Sequence, residues 1–74
     1  MNPKIVTTEL RITNGHRDVT EIRKLVRGVI RNEEQYDVQV QGLRVAIYIL
    51  KVLEPIVKQL VSKLEQYGFE VTEG

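Results

Sequence analysis

The chain has 74 residues, no cysteine and one histidine, His16, which excludes disulfides, thiolate metal sites and a histidine-based metal cluster within one chain. An apolar content of 42% makes it one globular domain, residues 1–74, of thin stability margin, because a domain this small buries only roughly 60% of its unfolded surface. The net charge of +1 gives no bulk partner signal, no window reaches the ~18 apolar residues of a membrane span, and MNPKIVTTEL lacks the basic-then-apolar pattern of a secretory leader, so a cytoplasmic protein with no membrane partner is expected.

Residues 5–13, IVTTELRIT, alternate between Val6, Thr8, Leu10 and Ile12 on one face and Ile5, Thr7, Glu9 and Arg11 on the other. That is the pattern of a strand with one buried face. NGHR at 14–17 signals a turn. Asp18, with Glu21 three residues on, has the spacing of a capping box that opens a helix. Val19, Ile22, Leu25, Val26, Val29 and Ile30 then repeat at the helical period. Gly28 interrupts this helix at a cost of about 1 kcal/mol relative to alanine, for which a close packing contact is the expected reason. RNEEQ ends the helix, and YDVQV reads as a second strand with Val38 and Val40 on its apolar side.

The next stretch, residues 38–55, allows two readings. In one, a single helix runs from 43 to 67, with Arg44, Tyr48, Lys51, Pro55, Lys58 and Ser62 as its polar stripe. In the other, a hairpin turns at Gln41-Gly42 and a new helix begins at Pro55. Three points favour the hairpin. Proline inside a helix costs about 3 kcal/mol but almost nothing at the first position. A helix of that length would extend about 37 Å, beyond the ~29 Å diameter expected for a chain this short. Val45, Ile47, Ile49 and Val52 are β-branched, as strands prefer. The expected register sets Val40 opposite Leu43 and Val38 opposite Val45, burying Leu43, Val45, Ile47 and Ile49.

Residues 56–67 form an amphipathic helix with Ile56, Val57, Leu60, Val61 and Leu64 on its apolar face; Gly68 is placed to terminate it, and FEVT makes a last short strand. The order β-α-β-β-α-β, with right-handed crossovers, predicts an α+β ferredoxin-like sandwich: a four-stranded antiparallel sheet of order 4-1-3-2 with both helices on one face.

Such a sheet leaves one face open. Ile5, Ala46, Tyr48 and Leu50 near its middle would make it a partner surface, most simply for a second copy of the chain. The RNA recognition motif uses the same topology and stacks bases on central-strand aromatics, but RVAIYIL lacks that aromatic-rich signature and offers only Tyr48.

Charge is unevenly distributed. Between Arg11 and Arg31 six Lys or Arg face only Asp18 and Glu21, whereas from Val45 onward three Lys meet four Glu. Arg23, Arg27 and Arg31 recur every fourth residue with Lys24 beside them, and Arg17 stands at the helix start; this ridge is an electrostatic footprint suited to phosphates. The plainer reading is a solvated helix face with Glu21 paired to Lys24. NGHRDV at the helix start would also suit an anion, although the Asp18 carboxylate competes for the same amides and His16 reads as a surface turn residue. Glu33, Glu34 and Asp37 read as a solvated loop before a cation site. Ser62 is the lone serine and lies far from His16 in sequence, so no nucleophile–base pair is apparent and no catalytic residue, metal or cofactor is expected.

The opening of the chain, a strand, the basic turn NGHRDV, a helix and then VQVQG, resembles the Alba chromatin proteins over roughly residues 1–45. Arg44 departs from the small residue of that family, and the chain after Gly42 runs longer before its last strand. Nothing is carried over from that resemblance; the basic ridge of the first helix gives the expectation of a small non-enzymatic domain that binds DNA or RNA, as a homodimer. Arg17, Arg23, Lys24, Arg27 and Arg31 would carry the contacts, with Arg11, Arg44 and Tyr48 as a secondary set. The alternative is a protein-interaction or regulatory module, sensing a small molecule in one version, that acts through the open sheet face.

Overall fold

The computed structural model describes residues 3–74. It is a small α+β domain with a four-stranded antiparallel sheet and two helices. In chain order the elements are β1 (Ile5–Thr13), α1 (Val19–Val29), β2 (Tyr36–Gln41), β3 (Arg44–Leu53), α2 (Glu54–Gln66) and β4 (Glu70–Glu73). Short 3-10 turns at His16–Asp18 and Glu33–Gln35 lead into α1 and β2. Along the sheet the order is β2-β3-β1-β4, so the two longest strands are central.

One core holds the layers together. Leu10 and Ile12 of β1, Val38 of β2 and Val45, Ile47 and Ile49 of β3 meet Ile22, Leu25 and Val26 of α1 and Val57, Leu60 and Leu64 of α2. Each such side chain, taken fully out of water, contributes about 1.5–3 kcal/mol.

Residues 38–55 form the hairpin, and the long helix is absent. Pro55 sits in the first turn of α2, where its missing N–H leaves no helical bond unmade. The turn differs from the expected one. Gln41 pairs with Arg44, Val40 with Val45 and Val38 with Ile47, so the two-residue loop is Gly42-Leu43. Gly42 has φ +66° and Leu43 does not have a positive φ, the pattern of a turn that asks for glycine at its first central position only. The Gln41-Gly42 loop would have required a positive φ of glutamine as well. Because the slip is by two residues, each strand keeps its faces, but Leu43 moves into the turn and is 62% exposed. Val40, also expected inside, is 48% exposed and stands outside the core cluster.

β3 carries a bulge. Val6 pairs with Val52 but Thr8 with Ile49, so one extra residue of β3 is accommodated between them. Lys51 takes φ +53° there. Its N–H donates to Thr7 Oγ1 at 3.2 Å and its carbonyl accepts from Gln35 Nε2 at 3.0 Å. The bulge resets the alternation, so Ile49 and Val52 are both buried although three positions apart.

At the start of α1, Asp18 makes no side-chain capping bond, so the expected capping box does not form. The 3-10 turn occupies that place, with the Asp18 N–H donating to the Gly15 carbonyl at 3.0 Å. Asn14 supplies the left-handed residue, φ +56°, while Gly15 is required for space. A Cβ on Gly15 would lie 2.9 Å from Ile12 Cγ2 and 3.1 Å from Ile22 Cδ1. Gly28 is the opposite case: a Cβ there meets only Lys63 Nζ at 3.8 Å, so no tight packing explains it. Gly68, φ +91°, closes α2 as expected: its N–H donates to Glu65 O and that of Phe69 to Leu64 O, a Schellman pair.

Gly28→Ala is expected to stabilise the domain by about 0.5–1 kcal/mol and raise Tm by about 4 °C, whereas Gly15→Ala is expected to destabilise it by about 1–3 kcal/mol. Thermal melts of the two variants check the opposite signs. Lys51→Gly removes the left-handed strain of a residue with a Cβ, and urea titration is expected to show a gain of about 0.5–1 kcal/mol.

Candidate nucleic-acid interface

α1 is apolar toward the sheet, and helical geometry alone therefore turns its arginines outward. Arg17 is exposed in the 3-10 turn before the helix, Lys24 and Arg27 are exposed on it, and Arg31 is exposed just beyond its end. Arg23 lies lower, where Nη2 donates to the Val38 carbonyl at 3.3 Å in a partly buried contact. That bond ties α1 to β2. It also shows that the Val38 carbonyl points away from β3, toward the unpaired side of an edge strand.

Arg23, Lys24 and Arg27 form one wall of a groove between α1 and β2. Thr20 lies on the same wall, and Glu33, Tyr36, Asp37 and Val38 line the other. Among the described residues the salt bridges are Arg11 with Glu9 and Lys58 with Glu54, so none of the five ridge cations is paired within 4 Å. The Glu21–Lys24 pair that accompanied the solvated-face reading is not made, and both side chains are exposed. Spacing of Arg23, Arg27 and Lys24 was visible in the sequence; the facing wall was not. Tyr36 shares the parity of Val38, and that parity was the available signal for its place at the rim of the core.

A second groove, lined by Thr13, Asn14, Asp18, Glu21 and residues 67–70, carries three carboxylates with Glu70. The two flanks of α1 thus have opposite sign, an asymmetry the net charge of +1 conceals. His16 faces neither: Nδ1 lies 3.1 Å from the Leu43 carbonyl oxygen, so that nitrogen carries the ring proton, and the side chain pins the 3-10 turn to the hairpin. Among the described residues no group of three His, Cys, Asp or Glu is placed to hold a metal ion, so Glu33, Glu34 and Asp37 do not converge.

The secondary set lies elsewhere. Arg11, Arg44 and Tyr48 belong to the sheet face turned away from α1, so they cannot extend the ridge. Arg11 Nε donates to Glu9 Oε2 at 2.7 Å, and that hydrogen bond, helped by the carboxylate charge, raises the guanidinium pKa further. Tyr48 Oη accepts from Gln41 Nε2 at 2.8 Å, and Gln39 Nε2 donates to Asp37 Oδ2 at 2.8 Å. The middle of this face is therefore covered by hydrogen-bonded polar chains. Ala46, expected as a contact residue, is 1% exposed beneath them and offers nothing to a partner. The exposed apolar residues gather instead at the end beside the bulge, where Ile5 pairs with Leu53 and Leu50 stands 49% exposed.

No protein-family model, curated protein or solved structure matches this chain.

Proposed function

We propose that the chain is a non-enzymatic, cytoplasmic nucleic-acid-binding domain whose phosphate contacts come from Arg17, Arg23, Lys24, Arg27 and Arg31. The observation that carries this reading is the row of unpaired cations on α1, three of which line a single groove. A guanidinium without a carboxylate partner keeps its forked donors for phosphate oxygens, and releasing counterions from the nucleic acid adds affinity at low salt. Arg11 and Arg44 are left out of the contact set, because the sheet separates them from α1. The architecture is assigned to the ferredoxin-like class, supported by the β-α-β-β-α-β order with β1 and β3 at the centre.

Electrophoretic mobility shifts with mixed DNA and RNA test the reading. At ~50 mM salt binding is expected, and log affinity should fall against log salt with a slope of about −3 to −4 if four phosphates are engaged. Lys24→Glu with Arg27→Glu, both exposed and free of structural bonds among the described residues, should abolish most of it. No complex at ~50 mM salt would sink the proposal.

A second reading is favoured by Ile5, Leu50 and Leu53 on the open sheet face, which form an apolar end rimmed by Tyr48. On it, the chain acts through protein contact, and the partner is a second copy that meets the same patch across a two-fold axis. Sedimentation velocity is expected to show a dimer that Leu50→Glu converts to monomer; a wild-type monomer at high concentration rules this out.

A further inference from the structure

We propose that the groove between α1 and β2 is built for a single strand rather than a duplex, with phosphates along α1 and a base stacked on Tyr36; this rests on the nucleic-acid reading above. The two walls of the groove differ in chemistry. Arg23, Lys24 and Arg27 stand on one side, and Tyr36, with Glu33, on the other. A duplex turns charged phosphates outward on both strands, so any part of it that enters the groove brings a phosphate toward Glu33. A single strand separates its parts: the phosphates follow one wall and the bases turn to the other.

The second wall fits a base. Tyr36 is half-buried against the core, which holds its ring in place as a stacking surface. Arg23, fixed by its bond to the Val38 carbonyl, holds the floor of the groove at the strand edge. A helix that reads duplex DNA enters the major groove; α1 has β2 along one flank and the carboxylates of Asp18 and Glu21 near the other, both of which obstruct that approach.

The test uses the intact wild-type chain with a mixed-sequence oligonucleotide of about 20 nucleotides, long enough for the roughly 4–16 nucleotides of a typical single-strand site. It is offered as single-stranded DNA, as single-stranded RNA and as the matching duplex, all at the same low salt. The single strand is expected to bind at least about tenfold more tightly than the duplex, and Tyr36→Leu should weaken single-strand binding by roughly 5- to 100-fold, with Tyr36→Phe close to wild type. A preference between the DNA and RNA strands identifies the sugar that is favoured, and either supports the proposal. Equal or tighter duplex binding overturns it while leaving the phosphate reading intact, and an absence of binding to every form overturns both. The wild-type comparison does not depend on whether Tyr36→Leu folds, and circular dichroism of that variant separates lost stacking from lost structure.

Discussion

The antiparallel ladder between β1 and β3 is the contact on which the other elements depend. It joins the two longest strands from Ile5 opposite Leu53 to Ile12 opposite Val45. Every buried strand residue except Val38 belongs to one of these two strands, and both helices close on them. β2 and β4 attach to its outer sides and are edges of the sheet. The ladder also fixes the direction of the chain at both crossovers, and thereby places α1 beside β2 with its arginines over the strand edge. The bulge at Lys51 is the adjustment that keeps so long a pairing in register with the core. It admits an extra residue to β3 and returns Val52 to the buried side, and the Thr7 hydroxyl and Gln35 amide satisfy the displaced backbone groups.

The main elements were legible because hydrophobic period and local chemistry agree at most of them. Pro55 and the β-branched run of β3 favoured the hairpin for reasons the structure respects. Domain diameter does not exclude a long helix, since the domain is elongated, 39 Å on its long axis with a radius of gyration of 11.5 Å. A ten-residue strand alone reaches about 33 Å, so length by itself could not discriminate a helix from a strand here. Turn register was beyond a pattern argument for a plain reason: Gly42 serves equally as first or second turn residue on paper, and only the φ demanded of its neighbour decides. The bulge left no mark in the sequence either, because Lys51 is an ordinary residue in an unfavourable conformation. Asp18 and Glu21 had the right spacing for a cap, but the need of Gly15 to pack flat against Ile12 and Ile22 set the entry to α1 instead.

The candidate site was half legible. Helical spacing is sufficient to align Arg23, Arg27 and Arg31, so one wall could be read directly. The opposite wall comes from a strand brought alongside by the crossover, and spacing within one element says nothing about that neighbour. The open sheet face shows the same limit from the other side. Alternation correctly turns Tyr48 and Ala46 outward, but it does not show that Gln39 and Gln41 on the next strand, with Arg11 on the other side, would roof over so small a side chain. Outward orientation and accessibility are different properties, and only the second makes a contact surface.

The bond from Arg23 to the Val38 carbonyl has a consequence for solubility that is separate from ligand binding. β2 is an outer strand, and the backbone groups on its free side are a template to which another extended chain can add. Arg23 occupies one acceptor of that template and sets a positive charge beside it, with Lys24 and Arg27 close by. An incoming strand must displace the guanidinium and tolerate its charge. The guanidinium thus hinders strand addition at this border of the sheet, and a chain that dispensed with nucleic acid altogether would still have a physical use for an arginine at position 23.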